Sequence, residues 1–134
     1  MWDASPRCGS RPTAFVIQRK HNVYRINKTG KHYVWGGNCD GWHLTATPNL
    51  SVIQERVPSG SSEVRHLHHR AEQFFYVLNG ITTLEVAGKI HVLGQVEGFH
   101  VAAGVPHTLS NQHENVLEFL VISTPSSHGD RENT

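Results

Sequence analysis

The chain of 134 residues has little cysteine, little net charge and no long apolar stretch, and each shortage removes a class of protein. Its two cysteines, Cys8 and Cys39, allow at most one bridge, which is no disulfide framework, and their spacing matches no zinc pair. They read as reduced thiols, as expected of a cytoplasmic protein. The formal net charge is +1, and no block of Lys or Arg concentrates it. A nucleic-acid surface and a polybasic membrane patch are therefore not expected. The longest apolar runs, such as Phe74 to Leu78 and Phe119 to Ile122, fall far short of the ~20 residues a membrane-spanning helix needs. Near the start only Ala14 to Ile17 is continuously apolar, too little for a secretory leader, so export is not expected either. Amphipathic helices are missing too, and with them a helix-turn-helix.

What remains is a series of short β-branched and aromatic segments separated by turn residues. Residues 1–30 read as an N-terminal arm, interrupted by Pro6, Gly9 and Pro12, with Phe15 to Ile17 able to add an edge strand to a neighbouring subunit. Gly36-Gly37, Asp40-Gly41 and Pro48 punctuate aromatic pieces around Trp35 and Trp42, which read as turns between short strands or as one structured lid. Leu50 to Val57 reads as a strand closed by Pro58-Ser59-Gly60. Gln73 to Leu78, Asn79-Gly80 and Ile81 to Val86 carry the strongest hairpin signal, because Asn-Gly suits a tight primed turn. A second reversal falls at Ala87-Gly88 before Lys89 to Leu93; Phe99 to Ala103 and Val116 to Ile122 read as further strands. Residues 126–134 read as a polar tail that hugs the surface or trails free. One domain over residues 31–125, an antiparallel sandwich or barrel, accounts for this pattern.

Histidine is the residue in excess, with 11 in the chain. In an extended strand alternate side chains share a face, so His66 and His68 project together while Leu67 points away. Two neighbouring imidazoles begin a site for a divalent transition metal. Gly60 precedes His66 by six positions, Gly80 follows Gln73 by seven, and Gly104, His107 and Asn111 follow in GVPHTLSN. In these positions the sequence resembles the cupin superfamily, whose two motifs are Gly, five residues, His-x-His, three or four residues, Glu, six residues, Gly, and then Gly, five residues, Pro-x-Gly, two residues, His, three residues, Asn. Three positions depart from that pattern: Gln73 stands for the Glu, Val96 for a Gly and Ala102 for a Pro.

The resemblance implies an all-β double-stranded β-helix, an RmlC-like jelly roll, with His66, His68 and His107 holding one divalent ion: Zn, Ni, Mn, Fe or Cu. The fourth ligand is Gln73 by the count from Gly80, or Glu72 if a bulge turns it inward. A neutral donor set of three imidazoles and an amide leaves the ion its full charge, which favours Lewis-acid chemistry over redox cycling. Strand alternation places Phe75 and Val77 beside Gln73, and Leu109 beside His107, on the inner face. Of the adjacent pair Glu55 and Arg56, whichever faces inward is the candidate general acid/base or anion-binding group. His69, His91, His100 and His113 are candidates to support the ligands. The expected function is a metal-dependent isomerase, epimerase or lyase acting on a small oxygenated molecule such as a sugar derivative. Its alternatives are a dioxygenase of the quercetinase or acireductone kind and a non-catalytic cupin that binds a small ligand in its barrel. A homodimer is the expected assembly.

Overall fold

The computed structural model describes residues 31–134; the expected arm over 1–30, with its edge strand at Phe15 to Ile17, lies outside the described residues, as does Cys8. The architecture is all-β. Among the described residues, eleven strands run in the order β1 (Lys31–Trp35), β2 (Cys39–Ala46), β3 (Ser51–Val57), β4 (His66–Leu67), β5 (Glu72–Asn79), β6 (Thr82–Val86), β7 (Lys89–Leu93), β8 (Gly98–Val101), β9 (His107–Ser110), β10 (Leu117–Thr124) and β11 (Glu132–Asn133). They form two antiparallel sheets, one of order β1-β2-β3-β10-β5-β8 and one of order β11-β4-β9-β6-β7. Among the described residues no helix is long and apolar enough to cross a membrane.

Alternation along the strands builds the interior. On β10, Leu117, Phe119, Val121 and Ser123 are buried while the residues between them are not. On β5 the buried set is Gln73, Phe75 and Val77. Phe75 and Phe119 meet with ring centroids 6.0 Å apart, and Leu84 and Leu109 close the core from the second sheet. Fully burying side chains of this kind stabilises by about 1.5–3 kcal/mol each. The apolar half of the barrel is thus filled by packing, and its polar half is left for Gln73, Ser123 and the histidines.

The expected hairpin at Asn79-Gly80 is not one. β5 pairs with β10 and β8, whereas β6 pairs with β7 and β9, so this turn carries the chain from one sheet to the other. Gly80 has φ +89 and a Cβ there would lie 2.5 Å from the Val116 carbonyl oxygen. A glycine is required for both reasons. The primed hairpin sits at the next reversal, where Ala87 and Gly88 take φ 51 and 90 between β6 and β7.

Of the two expectations for the polar ending, it does not trail free but hugs the surface, and it does so as a strand: β11 pairs with β4, and Thr134 N–H donates to the Arg65 carbonyl at 3.0 Å. Asp130 is 9% exposed, and its carboxylate accepts from the backbone N–H groups of His69, Arg70 and Ala71 at 3.1, 2.9 and 2.9 Å.

Candidate metal centre

The site begins with a cross-strand pair. His66 on β4 and His107 on β9 are register partners, and strand geometry gives such partners a common face. His68 returns to that face two residues on. The three rings are 3%, 6% and 1% exposed for His66, His68 and His107, with centroids 4.9 Å apart for His66 and His68 and 4.5 Å for His66 and His107. One nitrogen from each lies within 4.8 Å of the others. Burial pushes all three pKa values down, that of His66 to about 3, so the rings are neutral and available as ligands across the physiological range.

Their tautomers follow from their neighbours. Nδ1 of His66 faces the Val64 carbonyl at 2.7 Å, Nδ1 of His68 the Asp130 carbonyl at 2.7 Å and Nδ1 of His107 the Val105 carbonyl at 2.9 Å. A carbonyl oxygen only accepts, so each Nδ1 carries the proton and each Nε2 keeps a free lone pair. His107 Nε2 is buried without a hydrogen-bond partner. Across the barrel, Gln73 and Ser123 are register partners on β5 and β10, and Gln73 Nε2 donates to Ser123 Oγ at 3.0 Å. That bond turns Oε1 the other way, where it too is buried and unpartnered. A donor set of three imidazole nitrogens and an amide oxygen, two of them otherwise orphaned, fits one divalent metal ion.

Register turns Gln73 inward and Glu72 outward. Gln73 is 7% exposed inside, whereas Glu72 lies outside and pairs with His100 at 2.7 Å. The Glu55 and Arg56 alternative resolves in the same way. Arg56 pairs with Asp40, while Glu55 lines the cavity beside the histidines, a space of ≈ 160 Å³. Phe75, Val77 and Leu109 are inside as expected. None of His69, His91, His100 and His113 supports a ligand ring. His69 pairs with Glu132, and His91 lies against Phe99 with centroids 4.3 Å apart. Asn111, fully buried, ties the turn after β9 by donating to the carbonyls of Val57 and Asn115.

Sequence reasoning missed Tyr33 and Glu63. Tyr33 reaches Glu55 because Gly41 lies between them: Tyr33 is the register partner of Gly41 on β2, and Gly41 that of Glu55 on β3. A Cβ on Gly41 would sit 2.2 Å from Tyr33 Cζ, so the missing side chain is the space through which the phenol crosses to donate to Glu55. Glu63, in the connection before β4, accepts from Leu109 N–H at 3.0 Å. Protein surrounds both carboxyls, and the surface they keep is cavity wall. Burial raises Glu55 to about 7, against the pull of the Tyr33 hydrogen bond; burial and then the charge of Glu55 raise Glu63 to about 8. Glu55 and Glu63 thus stand, with their pKa values raised by burial, on the wall of the chamber that His66 and His68 also line.

A family model of the cupin domain matches residues 53–123, more than half of the chain. The protein is a cupin. A mannose-1-phosphate guanylyltransferase of Klebsiella pneumoniae is 26% identical over 116 residues, which is 87% of this cupin but 24% of that relative; the chain spans about a quarter of its length. Among solved structures, the polyketide cyclase RemF from Streptomyces resistomycificus superposes with a TM-score of 0.73 at 19% identity, covering 86% of each chain. A putative sugar phosphate isomerase from Acidithiobacillus ferrooxidans superposes with a TM-score of 0.63 at 24% identity, covering 74% of this cupin and 70% of that chain. These structural likenesses establish the fold.

In this cupin the C-terminal strap reaches the histidine cluster, since the Asp130 carbonyl orients His68 while its carboxylate fastens the strap to the 69–71 turn. The three N–H bonds hold Asp130 below the usual carboxyl pKa of 3.8, so the fastening persists at neutral pH and is lost only as pH falls through that lowered value. Asp130→Ala is expected to release β11 and to speed trypsin cleavage after Arg131 severalfold, read as the rate of appearance of the shortened chain by mass spectrometry. Unchanged cleavage would show that β11 holds without it.

Proposed function

We propose that this cupin is a mononuclear metal-dependent enzyme of isomerase, epimerase or lyase type, moving a proton on a small oxygenated molecule such as a sugar derivative. The observation that carries the reading is the placement of Glu55 and Glu63, two carboxyls whose pKa values burial raises, on the wall of the cavity that His66, His68 and Gln73 also line. The ion would be held by Nε2 of His66, His68 and His107 with Oε1 of Gln73, and when bound it supplies a Lewis acid for a substrate oxygen. Glu55 is assigned as the base, because the Tyr33 phenol supports its ionised form. Glu63, raised further by the neighbouring charge, holds the proton that is returned. Ile53, Phe75 and Val121 line the same space and keep bulk water from it.

The similarity to a putative sugar phosphate isomerase supports this class, and the similarity to a polyketide cyclase is compatible with proton-transfer chemistry on a different skeleton. The oxygenase alternative called for Glu72 at the metal or tolerance of the amide. Glu72 is paired outside with His100, so its support weakens.

The test is isotope exchange. Zinc- or manganese-loaded protein in D2O, given a panel of sugars, sugar acids and their phosphates, is expected to erase the proton NMR signal of a C–H next to a carbonyl in at least one of them. Tight binding without exchange under any metal would establish the non-catalytic binding protein instead.

A further inference from the structure

We infer that the molecule bound in this cavity is an anion carrying a carboxylate or phosphate group, and that Arg131 is the residue that selects it. This rests on the enzymatic reading above and names the substrate class it leaves open. Arg131 stands directly after the Asp130 anchor. It lines the ≈ 160 Å³ chamber of the histidines and also an adjoining chamber of ≈ 350 Å³ walled by Trp35, Gly36 and Val64. Tyr33, Glu55 and Glu63 line both chambers, so the carboxyl pair stands where the two spaces meet.

Among the described residues, Arg131 is the one Lys or Arg lining either chamber. Its guanidinium is held in place without being neutralised. Nε donates to Asn133 Oδ1 at 3.1 Å and Nη2 to the Val64 carbonyl at 3.1 Å, both neutral acceptors. Among the described residues Nη1 has no acceptor and Arg131 forms no ion pair. The exposed Arg131 guanidinium, held by two neutral acceptors on the chamber wall, presents donors for the oxygens of a carboxylate or phosphate.

The charge balance agrees. Three neutral imidazoles and an amide leave a divalent ion at +2 and Arg131 adds +1, while Glu55 and Glu63 subtract at most two. The loaded cavity is net positive, and an anion is its complement. An anionic group on Arg131 in the larger chamber leaves the remainder of the molecule to extend past the carboxyl pair toward the histidines.

Calorimetric titration with glycerol 3-phosphate, glycerate and glycerol, on zinc-loaded and metal-free protein, tests this. At least about tenfold tighter binding of one or both anions than of glycerol is expected in either form. Which anion binds more tightly distinguishes phosphate from carboxylate. Arg131→Gln should reduce the preference to within about twofold while zinc content stays at the wild-type level. Equal binding of all three probes by the wild type, or an undiminished preference in Arg131→Gln, overturns the inference. If Arg131→Gln also lowers the melting temperature, Arg131→Lys decides, since it keeps the charge but not the planar fork. A preference retained there supports selection by charge, and a lost one overturns it. Failure of the wild type to bind zinc would sink the metal reading alone, because the metal-free titration still reports on Arg131.

Discussion

Replacing His107 by alanine is expected to strip the protein of its metal. Zinc or manganese affinity should fall by more than about 100-fold, because losing only an outer partner of a ligand already costs 10–100-fold. Elemental analysis after dialysis should show the wild type near one equivalent and His107→Ala near none. The barrel should survive. β9 keeps its backbone pairing with β6 and β4, and the side chain gives up only one protein hydrogen bond, to the Val105 carbonyl. The β-type circular dichroism spectrum should therefore persist. His100→Ala, which removes an exposed ring paired with Glu72, should retain metal and serves as the control. Stoichiometric metal in His107→Ala would remove the proposed centre.

The second large effect belongs to Glu63→Gln, and it has two opposite signs. Glutamate in the unfolded chain titrates near 4.5, whereas Glu63 in the fold is pushed up to about 8. Between those values the folded chain holds a proton that the unfolded chain has released, so this group's contribution to stability falls as pH rises through the window. A glutamine has no charge to desolvate. Metal-free Glu63→Gln should match the wild type near pH 5 and exceed it above pH 8 by about 2 kcal/mol, less than the full linkage of 1.36 kcal/mol per pKa unit because the carboxyl touches the cavity and is partly screened. Urea denaturation at the two pH values measures this. The same substitution should cut proton exchange on a responsive substrate by about 10²–10⁴, the usual contribution of a positioned acid or base. A variant that is more stable and less active marks a residue kept for chemistry. Loss of stability at both pH values would instead assign Glu63 a structural role.

How far the sequence could be read depended on how local each determinant is. The alternation that aligns His66 with His68 is visible in three residues. The count of seven back from Gly80 placed Gln73 inside, and the ladder to β10 agrees. Joining His107 to the pair took the resemblance to a family, since nothing in its own segment points forty residues back. Asn79-Gly80 was misread because turn chemistry fixes the local backbone but not which sheet receives the next strand. Glu63, outside any strand, carried no periodic signal. Tyr33 and Glu55 stand 22 residues apart, and their contact depends on an absent side chain at Gly41, a cue visible only when three strands lie side by side. The ending SSHGDRENT has the composition of a free tail, yet Asp130 meets three N–H donors from a turn some 60 residues earlier.

Glutamine and glutamate codons differ at a single nucleotide, so the neutral donor at position 73 stands one base change from an anionic one. Ser123 makes that change structurally tolerable, since its hydroxyl can reverse roles and donate to a carboxylate as readily as it now accepts from the amide. A carboxylate in that place would offset part of the charge of a bound divalent ion, so the charge of the site can be reset at one position without rebuilding the barrel.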